Sequence, residues 1–161
     1  ASPQAAHMTT NNFRVVALPS AIAENARRTA DDGATDHRVS VVESECSAPC
    51  RHCLTWAKPG ERVILFPYQS IASDRPYAES GPIFVHAESC TRYDSPNEFP
   101  ADLRNGRVIR AYNQADEIAA AEVANGAPEE TAARLLENPQ VHFLHVRSAT
   151  HGCYTFKVER A

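Results

Sequence analysis

The chain of 161 residues has a net charge of −4, with 43% hydrophobic and 22% charged residues. That length suffices for one domain with its own core. Because acids and bases are interspersed, no broad basic face invites nucleic acid. No apolar run approaches the roughly 18 residues of a membrane span, and nothing after Met8 reads as an export segment, so no membrane partner and a cytoplasmic location are expected.

Ala1 to His7 lacks pattern and precedes Met8, so it reads as a cloning remnant, leaving 8–161 as a single domain. Phe13 to Leu18 predicts a first strand, and Ala21 to Asp31 a helix with Ser20 as N-cap and Gly33 as its stop. His37 to Val42 alternates as a second strand that leads directly into Cys46-Ser47-Ala48-Pro49-Cys50-Arg51-His52-Cys53. Arg51 to Ala57 is expected to be a short helical turn, cut by Pro59-Gly60 before a strand over Glu61 to Phe66. A long polar loop then leads to a strand over Gly81 to His86, with Cys90 in the loop that follows.

Pro100 to Asn105 is at most a helical turn, and Gly106 to Tyr112 alternates charged and apolar residues as a strand. Glu117 to Asn125 is read as the returning arm of a hairpin, although its alanines also suit a helix. Pro128 to Glu137 has proline at its first position, two glutamates at the positive end of the helix dipole and a one-sided apolar face, which together predict a helix. Val141 to Val146 and Cys153 to Glu159 form a closing hairpin. The expected fold is α+β, a single domain with a mainly antiparallel sheet and two or three helices.

In a reducing compartment, five cysteines favour free thiols, metal ligands or a redox pair over a disulfide framework. Cys50-Arg51-His52-Cys53 has the two-residue gap that lets two sulfurs grip one metal, or lets one thiol resolve a disulfide formed by the other. The other half of a zinc site is sought in His86 and Cys90, or in Cys46. A thioredoxin-like role is disfavoured because Pro59 leaves no long helix after the pair. The competing enzyme reading makes Cys50 or Cys153 a nucleophile, with His145 as base. His142 and His145 lie three apart in a strand and so face opposite ways. Arg110 and Tyr112 share a face, and a buried Arg110 would need a ligand anion or an internal partner, Glu61 or Glu79. With Arg51 these two are the candidate ligand-binding residues. No glycine-rich phosphate loop is present, so no nucleotide cofactor is indicated.

Five motifs, Pro49-Cys50-Arg51, Pro59-Gly60-Glu61, Gly81-Pro82-Ile83-Phe84-Val85, Arg110-Ala111-Tyr112 and Gly152-Cys153-Tyr154, together resemble the bacterial domain of unknown function 1203 family, from about Phe13 to the C-terminus. The resemblance implies no activity. Its motifs include cysteines matching Cys50 and Cys153, together with Arg51. Cys46, Cys53, His86 and Cys90 fall outside them, so a metal site would be particular to this branch. Three readings follow: a Cys/His site for a transition metal such as zinc on Cys50, Cys53, His86 and Cys90; a thiol-dependent enzyme acting on a small electrophilic or carbonyl substrate; or a non-catalytic module binding a small ligand or partner. Cys50 and Cys153 are expected to lie close together.

Overall fold

Alternating apolar residues build two antiparallel sheets in the computed structural model, which describes residues 12–124 and 126–161. The reading of Ala1 to His7 as a remnant lies outside the described residues. In chain order the elements are β1 (Phe13–Val16), α1 (Ser20–Asp31), β2 (Arg38–Val41), β3 (Arg62–Ile71), β4 (Glu79–His86), a 3₁₀ turn (Ala101–Leu103), β5 (Arg107–Tyr112), β6 (Ile118–Ala124), α2 (Pro128–Leu136), β7 (Phe143–Ser148) and β8 (Tyr154–Arg160). One sheet has the order β1-β8-β7-β5-β6 and the other β2-β3-β4. The α+β fold with a mainly antiparallel arrangement is as the sequence predicts, and the alanine-rich Ile118–Ala124 does return as a strand, β6, against β5.

Central β7 is buried on both faces. Leu144 and Val146 point into a core with Phe13, Ile109, Phe156 and the α2 residues Ala132, Leu135 and Leu136. By alternation, Phe143, His145 and Arg147 point the other way, towards the three-stranded sheet. There Tyr112 stacks on Phe143 with centroids 5.0 Å apart, His145 meets Tyr154 at 4.8 Å, and Tyr154 meets Tyr68 of β3 at 5.8 Å. A second core joins α1, through Ala23 and Ala26, to Ile64, Phe66, Ile83 and Val85.

Three local expectations need correction. The polar loop after Phe66 is shorter than its composition suggests, because β3 runs on to Ile71 and pairs with a β4 that already starts at Glu79. Ser20 does not cap α1: the helix has no side-chain cap, and the Ser20 hydroxyl lies 2.8 Å from His52 Nε2 instead. Arg51 to Ala57 is not helical but a tight reversal, with Pro49 bridged to Trp56. Along β4, Ile83 and Val85 are buried on one face, whereas Phe84 packs, half-buried, against Val42, Ala48, Ala57 and Val63 on the other.

Candidate metal centre

The reversal that carries the cysteines is held by its own backbone. Cys50 N–H donates to Thr55 O and Leu54 N–H to Cys50 O, both at 2.9 Å, and Leu54 takes a left-handed conformation, φ 58°. A leucine there is strained by roughly 1–2 kcal/mol. The strain is offset because its side chain is wholly buried in the main core. Arg51 N–H then donates to Phe84 O at 3.0 Å and Cys50 bridges Phe84, which docks the reversal on the end of β4. The next residues of β4 bring His86, and the loop beyond folds Cys90 back.

Cys50, Cys53, His86 and Cys90 thereby each offer one ligand atom, all within 4.8 Å of one another, and the set could hold a metal ion. Cys50 and Cys90 sulfurs are 3.8 Å apart, and Cys53 sulfur is 3.5 Å from His86 Nδ1. Cys50 is fully buried and the other three are partly exposed. Each ligand is oriented from behind. Glu61 Oε1 lies 3.1 Å from His86 Nε2, which leaves Nδ1 turned to the sulfurs. His86 backbone N–H donates to Cys50 sulfur at 3.3 Å. His52 Nδ1 sits 3.1 Å and Arg27 Nη2 3.6 Å from Cys90 sulfur, and Arg27 Nε also donates to His86 O at 3.0 Å.

Without a cation, three thiolates so close together repel and share protons. Hydrogen bonds from Cys53 and then Cys90 favour the Cys50 thiolate against burial, and the same contacts with Cys50 and then Cys53 push the Cys90 thiol up. Cys50 and then Cys53 raise His86 to about 11. Burial and then Arg27 lower His52, which suits a neutral ring accepting from Ser20 and donating to Cys90.

The remaining candidates are dispersed. Cys46 is exposed and outside the group. The Cys50 sulfur is engaged by Cys90 and the His86 amide, whereas the Cys153 thiol donates to His151 O at 3.8 Å and lines a different cavity of about 170 Å³ with His151, Tyr68 and Glu79. The histidine sharing that cavity is His151, not His145. Arg110 is half-buried and donates to the buried Tyr112 hydroxyl at 3.4 Å. Neither expected carboxylate meets Arg110: Glu61 serves His86 and Glu79 pairs with Arg147. Arg51 is 3% exposed, and burial lowers it to about 10 while leaving it charged at neutral pH. Arg27 and Arg147 escaped the sequence reading. His52 and Arg27 join the centre only through folding, although His52 lies inside the cysteine stretch and Arg27 one helical turn from Ala23, on the side of α1 that is buried.

His145 is 2% exposed, boxed by Tyr112, Phe143 and Tyr154, and its Nδ1 has no partner. Burial, then Arg147, depresses it to about 3. It is therefore a neutral core residue near pH 7 and not a proton acceptor. Its folded pKa lies below the unfolded value of about 6.5, so its contribution to stability is complete above about pH 6.5. That contribution is lost as pH falls towards 3, at roughly 1.4 kcal/mol per pH unit. Denaturation midpoints of wild type and His145→Phe, compared between pH 7 and 4.5, should show a shallower acid slope in the variant. Parallel slopes would show that His145 is protonated in the folded protein.

A family model described as "Protein of unknown function (DUF1203)" matches residues 47–160, so the chain belongs to that family. The match begins at the cysteine stretch and not near Phe13. No curated protein and no solved structure matches the chain.

Proposed function

We propose that this member of the DUF1203 family is a zinc-binding protein in which Cys50, Cys53, His86 and Cys90 form a closed, structural centre. The observation that carries the reading is the spacing of the donor atoms. Tetrahedral zinc, with Zn–S about 2.3 Å and Zn–N about 2.0–2.1 Å, requires sulfurs roughly 3.8 Å apart and sulfur and nitrogen roughly 3.6 Å apart. The Cys50–Cys90 sulfurs stand at 3.8 Å and the Cys53 sulfur and His86 Nδ1 at 3.5 Å, and all four donor atoms lie within 4.8 Å of one another. Three thiolates and an imidazole form a soft donor set suited to zinc and unsuited to magnesium or calcium.

Four protein ligands leave no open position for substrate, which favours a structural over a catalytic role. The centre ties the β2–β3 connection to the end of β4 and to the loop after it. Divalent zinc with three thiolates carries a net charge of −1. Arg27 supplies the opposite charge at Cys90, and Glu61 fixes the His86 ring, the backing expected of a ligand histidine.

Protein prepared under reducing conditions without chelator should contain one equivalent of zinc, and its cobalt-substituted form should show the absorption of a tetrahedral thiolate complex. Serine in place of Cys53 or Cys90 should lower the metal content, whereas Cys46→Ser and Cys153→Ser should not. Full-length folded protein with no zinc, and none taken up on titration, would refute the assignment.

A further inference from the structure

We infer that the cavity at the seam of the two sheets binds a small, neutral α,β-unsaturated carbonyl compound, whose oxygen the Tyr154 hydroxyl holds while the Cys153 thiol adds to its β-carbon. The cavity, about 170 Å³, lies between β3, the start of β4 and the turn that joins β7 to β8. That volume suits a guest of about benzene's size, since an engineered apolar cavity of about 150 Å³ takes up benzene. Cys50, Cys53, His86 and Cys90 do not line it, so the inference stands whether or not the Cys/His centre holds zinc.

The lining selects the guest. Pro82, Ile83 and the two tyrosines Tyr68 and Tyr154, whose ring centroids are 5.8 Å apart, favour a flat, largely apolar molecule. Glu79 also borders the cavity, but it is paired with Arg147 and accepts from the Ser70 hydroxyl, so it calls for no further cation. A neutral guest follows. Gly81 shares the face of Ile83 by alternation, and a Cβ built on it would meet nothing within 4 Å, so open space lies in front of this strand.

Tyr154 is 9% exposed. Its carbonyl accepts from Arg51 and its ring meets Tyr68 and His145, but among the described residues its hydroxyl has no hydrogen-bond partner. Nor is that hydroxyl one of the sealed orphans, which are His145 Nδ1 and Arg147 Nε, so it opens on free space. A phenol held there without an acceptor is costly, and a carbonyl oxygen in the cavity supplies the acceptor. Burial and then Tyr68 push the phenol up, so it stays a donor. The adjoining Cys153 is partly exposed and lines the same cavity. Behind it stands the buried Arg51: burial lowers its pKa, and the Cys153 charge is the strongest influence opposing that shift. A sulfur that turns negative as it attacks is therefore faced by a cation.

The step is an addition. A C–S bond forms at the β-carbon and the C=C π pair moves towards the carbonyl oxygen, where the Tyr154 hydroxyl stabilises the enolate. The thiol proton leaves to solvent and an equivalent proton returns from solvent to the α-carbon. No oxidant, reductant or leaving group is needed.

The probe is acrylamide, with iodomethane as a thiol reagent that has no carbonyl, and alkylation of each cysteine in the full chain is followed by peptide mass mapping. Cys46, exposed and outside the cavity, is the internal reference. The ratio of Cys153 to Cys46 rates should be about tenfold or more higher with acrylamide than with iodomethane, the effect of a donor placed at a developing oxyanion. Tyr154→Phe should remove that excess and leave the iodomethane ratio in place. Gly81→Val should also remove it, by filling the cavity from a backbone position that accepts a side chain without strain. Equal ratios with the two reagents, or an excess that survives Tyr154→Phe, would overturn the inference. If Tyr154→Phe fails to fold, Gly81→Val decides alone, and an excess that survives it has the same consequence. Zinc measured on the same samples keeps this outcome separate from that of the metal centre.

Discussion

Replacing Cys50 by serine is expected to strip the zinc and to lower unfolding stability by roughly 5 kcal/mol or more, the largest loss among single substitutions in this chain. Apparent binding free energies of structural zinc sites are about 10–16 kcal/mol, and because such a site forms only on folding, much of that energy belongs to the folded state. Cys50 is the most exposed to this loss of the four because it is wholly buried and bonded to both Cys90 and the His86 amide. Serine would leave a buried hydroxyl in the place of a thiolate. Chemical denaturation with and without added zinc checks the expectation: zinc should raise the wild-type midpoint and leave that of Cys50→Ser in place. Equal zinc content and equal midpoints in the two proteins would show that the metal does not support the fold. Cys46→Ser, on an exposed loop, should cost under about 1 kcal/mol.

How far the sequence carries this conclusion differs between residues. The two-residue gap of Cys50 and Cys53 is local, so its chemistry is legible from spacing alone. His86 and Cys90 were legible because a short strand ends at the histidine and a loop follows. Glu61 and Arg27 were not assigned to the centre, since each reaches it from a separate element: Arg27 lies 63 positions from Cys90 in sequence, and Glu61 25 from His86. Strand periodicity likewise predicted that His142 and His145 face opposite ways, but the strand begins only at Phe143, so that His142 precedes it, exposed, while His145 is buried within it. It could not show that β7 is covered on both faces, which turns His145 from a site residue into part of the core. β3 and β4 outrun their apparent limits because pairing across their polar ends, from Tyr68–Gly81 to Ile71–Glu79, supplies backbone bonds that composition does not reveal.

That extension of β4 matters because it delivers Glu79 to Arg147, and the second large effect is expected there. Arg147 is 2% exposed, and it bonds Glu79 through both terminal nitrogens, with Nη1 at 2.7 Å from Oε2 and 2.9 Å from Gly152 O. The pair joins β4 of one sheet to β7 of the other. Removing one partner of a buried pair costs about 3–5 kcal/mol, because the survivor stays buried and charged. Glu79→Ala should therefore destabilise by roughly 3 kcal/mol, the lower end of that range, since the Glu79 side chain is 33% exposed. It also removes the carboxylate that opposes Arg147 at His145, so the histidine should become still harder to protonate.

Burial, the largest influence on Glu79, works to raise its pKa, but the hydrogen bond and charge of Arg147 outweigh it and the net shift is downward. A depressed carboxylate stabilises above its unfolded pKa of about 4.3, and the contribution is lost as pH falls through the lower folded value. The penalty of Glu79→Ala, read from denaturation midpoints, should accordingly be full at pH 7 and shrink only below about pH 4, well beneath the onset of the His145 slope. A variant as stable as wild type at pH 7 would place Arg147 in contact with water and dissolve the link between the sheets.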